Sequence, residues 1–420
     1  MKRVVIVGMG FGGVRAAREL AGKGLEVLML DRNNYHLFQP LLYQVATAAL
    51  EQESIAYPIR AMARRWSETR FRLTDVCGVD TDGKRVMTSE GPIEYDYLII
   101  AAGSETNFFG MTSIAEHAYD LKRLEHAEAL RNQILGLFER AVKEHDPARR
   151  RAMLTFVIVG GGPTGVEFAG SLVELVRYVL SKDYPELSIT ESRVLLVEAA
   201  DTILISQPAH LRKYALNRLR RMGVEVLLNT KVSDAAPEHV VFGDATVLPT
   251  HTLFWSAGVK AGPLAGTLDI PKAGGGRIKV KPDLTVDGHP DVYVIGDMAW
   301  CEQDGAALPM VAPVAMQMGA YAGKAILARQ VEREPPPFRY RDKGSMATIG
   351  RSSAVASAFG LHLSGYFAWL AWLALHLMYL IGFRNRILVI MNWAWYYFFH
   401  ERQVRLITMK ESGPPRCRLS

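Results

Sequence analysis

Cysteine is scarce in this chain of 420 residues: Cys77, Cys301 and Cys417 lie far apart and never in a C-x-x-C pair. That spacing argues against a redox-active dithiol, a zinc ribbon and a disulfide framework, and nothing else in the chain suggests a metal. No targeting leader is expected either. Met1, Lys2 and Arg3 run straight into an apolar, strand-like stretch, so no signal or transit peptide is expected and the body of the protein is expected in the cytoplasm. Nucleic-acid motifs are absent as well. The net charge of +6 comes from basic residues that are scattered or gathered near the tail, which suits an anionic membrane surface better than nucleic acid. Formal charge is wholly lacking over the 23 residues 361–383.

What the chain has is glycine in two matching places. The run LTFVIVGGGPTGVEFAGSL reads as an apolar strand, a glycine-dense turn and a helix, with Gly160, Gly162 and Gly165 in G-x-G-x-x-G. The first permits the tight turn, the second lets backbone approach a pyrophosphate, and the third lets helix and strand pack closely. Pro163 and Thr164 open the helix, whose N-terminal N–H groups favour a negative ligand. RVLLVE supplies the next strand and ends in Glu198, placed to accept a ribose 2′-OH. The N-terminus repeats all of this: KRVVIVGMGFGGVRAAREL carries Gly8, Gly10 and Gly13, and LEVLML leads to Asp31. Two dinucleotide units in one chain suggest a bound flavin and a nicotinamide that passes it hydride. The plainer alternative is a tandem Rossmann protein with one degenerate site.

Several further segments are weaker alone. Residues 71–103 look like a strand meander with Asp82-Gly83 as a hairpin turn. Leu121, Leu124, Leu130, Ile134, Leu137, Phe138 and Ala141 keep a helical stripe that Pro147 is expected to end. Trp255 reads as core. Glu167, one turn past the second loop, can face solvent, pair with a lysine, or point at a flavin. AMQMGAYAGKAILARQ reads as a packing helix, and Pro335-Pro336-Pro337 as rigid punctuation.

Taken together, 38-FQPLLYQVA-46, DYLIIAAG, TGVE, WSAG, DVYVIGDMA, PMVAPVAMQMG and FRYRDKGSMATIGRSSAVA closely resemble type II NADH:quinone oxidoreductases, single-subunit, non-pumping flavoproteins, over nearly the whole chain. The resemblance implies an α/β fold with two Rossmann-like dinucleotide-binding domains, the second inserted in the first, plus a C-terminal membrane-associated helical region. Expected boundaries are 1–117 and 283–334 for FAD, 118–282 for NADH and 335–420 for the membrane region. It implies an FAD site at Gly8, Gly10, Phe11, Gly12, Gly13, Asp31, Arg32, Val76, Ala102, Gly103, Gly296, Asp297, Ala312 and Pro313. The NADH site would comprise Gly160, Gly162, Pro163, Thr164, Gly165, Glu198, Ala257 and Gly258. Glu167 and Gln317 would serve the quinone. Many members carry a glutamine where this chain has Pro313, which removes one amide from the expected quinone contacts.

The tail then needs a reading. Residues 361–383 would span roughly 35 Å as one helix, enough to cross a bilayer. A single span would put the basic flank (Arg384, Arg386, Arg402, Arg405, Lys410, Arg416, Arg418) on the wrong side, and 387–399 is short for a return. Trp369, Trp372, His376, Tyr379, Trp393, Trp395, Tyr396 and Tyr397 suit a headgroup region, so helices lying in one leaflet are expected, with a span or an oligomer interface as alternatives. The protein would then be peripheral or monotopic on the cytoplasmic face, with anionic lipid and a membrane quinone as partners and a homodimer left open. Rival functions are a soluble reductase of a small electron-transfer protein, which needs no such tail, and a nicotinamide-binding redox sensor.

Overall fold

Each glycine loop follows a strand of a parallel sheet, and the two sheets belong to two units of the computed structural model, which describes residues 1–408. The first unit comprises Met1–Leu37, Ala56–Glu105 and Val259–Asp342; the second comprises Phe38–Ile55, Thr106–Gly258 and the described residues from Lys343 onward. Lys410, Arg416, Arg418 and Cys417 of the expected basic tail lie outside the described residues.

In the first unit the sheet order is Thr285–Val286, His289–Val294, Tyr97–Ile100, Arg3–Val7, Glu26–Asp31, Thr69–Leu73, parallel except at the Thr285–Val286 edge. Val4, Val5 and Ile6 are wholly buried, as expected of a central strand covered on both faces. The helix Phe11–Leu20 packs against Ala312–Gln330 at close range. A Cβ on Gly319 would stand 2.2 Å from the Gly12 carbonyl oxygen, and one on Gly323 would stand 2.7 Å from Glu19 Cβ. The small residues of the GAYAGKA stretch are therefore a helix-to-helix seam. Residues 71–103 are not one meander. Thr69–Leu73 and Tyr97–Ile100 join the parallel sheet, and only Val76–Asp80, Arg85–Thr88 and Gly91–Glu94 form the antiparallel ribbon.

The second unit holds a five-stranded parallel sheet in the order Ala118–Tyr119, Thr252–Trp255, Thr155–Val159, Arg193–Val197, Val224–Leu227. The expected stripe becomes the helix Leu124–Ala141, with Leu130, Ile134, Leu137 and Phe138 buried. Pro147 does not end it. It opens the next helix, Pro147–Met153, where a missing N–H costs nothing and Asp146 caps the Ala148 N–H. Trp255 is core, and its indole N–H donates to the Asn107 and Ala257 carbonyl oxygens.

The apolar tail is not one helix. Leu361–Gly365 is a strand, paired antiparallel with Ala354–Ala358, which in turn pairs with Ser345–Thr348. Two helices follow, Tyr366–Tyr379 and Phe383–Phe399, of 14 and 17 residues. At about 1.5 Å per residue they reach roughly 21 and 26 Å, short of a ~30 Å hydrocarbon core. Among the described residues no helix is long and apolar enough to cross a membrane. Each carries an outward apolar stripe: Phe367, Leu370 and Met378 on the first, Phe383, Ile387, Ile390, Met391 and Phe398 on the second.

Candidate functional site

The two loops are built alike, down to the acid that follows. Asp31 Oδ2 accepts the Met9 N–H at 2.6 Å and Oδ1 the Asn33 N–H at 2.8 Å. Glu198 Oε2 accepts the Gly161 N–H at 2.5 Å and Oε1 the Ala200 N–H at 2.8 Å. Each acid thus braces the residue between the first two glycines of its loop. Burial pushes the Asp31 carboxyl up, and those N–H donors oppose it. Gly8 and Gly160 have φ of +93° and +109°. A Cβ on Gly13 or Gly165 would fall 1.9 Å from the carbonyl oxygen of its loop's first glycine. Above Gly10 and Gly162, by contrast, a Cβ would meet nothing within 4 Å, and no side chain caps either helix. Uncapped N–H groups beneath open space fit a dinucleotide pyrophosphate at both loops.

Of the other expected cofactor residues, Ala102 and Ala257 lie against the loops. A Cβ on Gly8 would meet Ala101 and Ala102, and one on Gly12 would meet Ile295 and Ala315. Asp297 accepts a hydrogen bond from Ser104 Oγ at 2.5 Å, and Gly296 takes φ +67° beside Ala315. Gly103 takes φ +73° with space above it. Arg32 is exposed, and Val76 opens its ribbon strand half-buried. Ala312 and Pro313 begin their helix, where proline in place of glutamine is sterically at ease. Phe11 meets the His36 ring edge-on at 5.3 Å. In the second unit Ala257 abuts Gly160, and Gly258 takes φ +83° over Phe109. Sequence reading missed His36, whose buried ring bonds the Met9 carbonyl oxygen through Nδ1 at 2.9 Å; burial lowers its pKa and keeps it neutral.

Glu167 and Gln317 fall in different units. Gln317 spends both halves of its amide on one residue: Nε2 donates to the Arg341 carbonyl at 2.9 Å and Oε1 accepts its N–H at 3.0 Å. Glu167 neither faces solvent nor meets a lysine. It lines a cavity within the second unit that is partly open to solvent. The walls come from three remote stretches: Tyr43 and Gln44; Glu167, Ser171 and Glu174 on one helix face; and Thr348, Arg351, Trp369, Trp372, Trp393, Tyr396 and Arg402 of the C-terminal region. Thr348 N–H donates to Glu167 Oε1 at 3.2 Å, and Tyr43 Oη lies 3.0 Å from Thr348 Oγ1. Gln44 Nε2 donates to Tyr43 Oη at 3.0 Å, and Trp393 Nε1 donates to Gln44 Oε1 at 2.8 Å. Burial pushes the Glu167 carboxyl up to about 8, against the bond from the Thr348 N–H. At neutral pH it holds its proton. His376, stacked on Trp372 at 3.8 Å, is pushed down to about 4 by burial and is neutral.

Some of the tail's polar groups turn inward, while Trp395 and Arg386 stay exposed. Trp372 is wholly buried, stacked on His376, and the Trp393 indole N–H finds its partner in Gln44. Arg386 donates to the Leu380 and Met378 carbonyl oxygens at the end of the preceding helix. Arg405 pairs with Asp183, and Arg402 is buried. Arg384 remains exposed.

Residues 2–319 match the family model described as pyridine nucleotide-disulphide oxidoreductase, the class to which the doubled loop architecture belongs. Residues 343–402 match the model described as NDH2 C-terminal domain. The chain is 39% identical to the type II NADH:quinone oxidoreductase Ndh of Mycobacterium tuberculosis, covering 99% of this chain and 92% of the relative. It is 41% identical to NdhA of the same organism, covering 93% and 86%. The structure of NDH2 from Plasmodium falciparum in complex with NADH superposes with a TM-score of 0.89 at 20% identity, over 96% of this chain and 99% of that one. This chain belongs to the type II NADH:quinone oxidoreductases, flavoproteins that transfer electrons from NADH to quinone.

Proposed function

We propose that this chain oxidises NADH at the second glycine loop with FAD held at the first, and reduces a membrane quinone at the cavity lined by Glu167. Gly8, Gly10, Gly13 and Asp31, with Gly103, Gly296 and Asp297, would hold the flavin. Gly160, Gly162, Gly165 and Glu198, with Ala257 and Gly258, would hold NADH. Bound FAD supplies the hydride acceptor and the two-electron donor. The chain's own task is to position, exclude water and move a proton. The observation that carries the quinone half is Glu167: a carboxyl that keeps its proton at neutral pH, set in an aromatic cavity, can donate to a quinone oxygen. Gln317 is the weaker candidate, since a ligand would have to displace Arg341 from its amide. Stopped-flow flavin absorbance tests the assignment. Glu167→Gln should slow reoxidation by quinone by roughly 10²-fold, the range of general acid–base contributions, and leave reduction by NADH nearly unchanged. Loss confined to the NADH step would refute it.

The outward apolar stripes of Tyr366–Tyr379 and Phe383–Phe399 favour docking in one leaflet, on the cytoplasmic face, with the cavity drawing quinone from the lipid.

A further inference from the structure

The cavity has a second carboxylate that the reaction above does not use. Glu174 lies seven residues beyond Glu167 on the same helix face, about 10 Å along the axis, and marks the other end of the cavity. The two acids are held differently. Glu167 meets the neutral Thr348 N–H. Glu174 Oε2 accepts the Tyr396 hydroxyl at 2.9 Å and lies 3.6 Å from Arg402 Nη2, while Oε1 accepts the Arg351 N–H. The Gly350 backbone presses so close that a Cβ there would stand 2.6 Å from Glu174 Oε1. Just past Glu174 the helix widens into a π-turn at Val176–Leu180, a rare feature common at functional sites.

Arg402 reaches this end from beyond the last helix. The chain turns at His400, φ +56°, and Arg402 enters with only 3% of its surface exposed. Nη1 donates to the Thr47 carbonyl oxygen at 2.6 Å, and the guanidinium lies 4.7 Å over the Tyr396 ring. Arg405 on Asp183 and Thr408 on Asn132 and Arg131 carry the same segment onward. A buried ion pair is poor value for stability, since desolvation consumes most of its attraction and apolar residues of similar volume often do as well. Its placement in a cavity wall calls for another role.

We propose that Arg402, clasped to Glu174, is a positioning residue of the quinone cavity, fixing the segment after the last helix as its end wall and so setting which acceptor headgroup fits. This rests on the assignment of the cavity to quinone. Without the guanidinium, Glu174 is a buried carboxylate lacking its countercharge, and the wall loses its tie to Thr47. Removing both charges together restores neutrality.

The test uses full-length holoenzyme with Arg402→Met, Glu174→Gln and the double variant. Flavin reoxidation is followed against a short-chain benzoquinone and a short-chain naphthoquinone, and quinone binding by quenching of the tryptophans in the wall. Each single variant should raise the half-saturating quinone concentration about tenfold, equivalent to ~1.4 kcal/mol, and change the ratio between the two quinones. The double variant should lie nearer wild type than the sum of the singles, with flavin reduction by NADH within twofold throughout. Additive effects, an unchanged quinone ratio, or equal loss in both half-reactions would overturn the proposal. Should the charge variants fold poorly, Tyr396→Phe removes only the hydroxyl on Glu174. It should move the ratio in the same direction, and no change there counts against the proposal. Glu167→Gln run alongside separates the two claims. If it alone slows quinone reduction, the clasp fails and the site stands; if quinone binding and reoxidation ignore all variants, the cavity assignment fails too.

Discussion

Glu167 shows how one residue's burial becomes a measurable pH dependence. Its ordinary pKa is 4.5 and its folded value is about 8, so the folded state binds the proton more tightly. The associated stability is full below pH 4.5 and is lost as pH rises to about 8. We therefore expect the unfolding free energy of the wild type, measured by urea titration, to fall between pH 5.5 and 8 relative to Glu167→Gln, by an amount on the order of a few kcal/mol. Quinone-driven reoxidation should decline as pH rises through about 8, where folded Glu167 gives up its proton, and lose that decline in the variant. Parallel stability curves for the two proteins would contradict this. Glu198 makes a second residue-scale prediction. Its carboxylate sits against the loop through Gly161 and Ala200, where an NADP 2′-phosphate would meet like charge. NADH should be strongly preferred, and Glu198→Gln should narrow the kcat/KM ratio by roughly tenfold or more, since juxtaposed like charges cost at least the ~1.4 kcal/mol that a factor of ten represents. Equal ratios for wild type and variant would refute it.

At the scale of elements the doubled strand, loop, helix and acid allow the two half-sites to be broken separately. Gly13→Ala and Gly165→Ala each drive a methyl into a loop carbonyl at 1.9 Å. The first should purify with little flavin. The second should keep its flavin yet lose rapid reduction by NADH. Flavin absorbance and stopped-flow mixing read both, and a reversed pattern would exchange the two assignments. These loops were legible in the sequence because their constraint is local: three glycines within six residues, then an acid at the end of the next strand. The cavity was not legible. Tyr43 meets Thr348, Gln44 meets Trp393, and Thr47 meets Arg402, contacts across some three hundred residues that no periodicity records. The orientation of the tail aromatics was not legible for a related reason. Composition shows that Trp372 and Trp393 are amphipathic but not which way they turn, and the acceptor for the Trp393 indole, Gln44, lies 349 residues away.

For the molecule as a whole, the tail is wall as well as surface. A chain stopped before Leu361 should lose membrane association and, with Trp369, Trp372, Trp393 and Arg402 gone, most quinone reduction too. A gentler change separates those roles. Phe383→Ser with Phe398→Ser alters two side chains that are 78% and 71% exposed, and should weaken co-sedimentation with anionic vesicles while flavin reduction by NADH persists. Undiminished vesicle binding would refute the docking face. The same helices present the apolar stripes outward and close the cavity inward, and that joint use has a pharmacological corollary. A cavity ligand arriving through this face dissolves in lipid first, so its potency should track its mole fraction in the bilayer. Two inhibitors with identical complementarity would then differ by their partition coefficients, and adding vesicles at fixed total dose would dilute both.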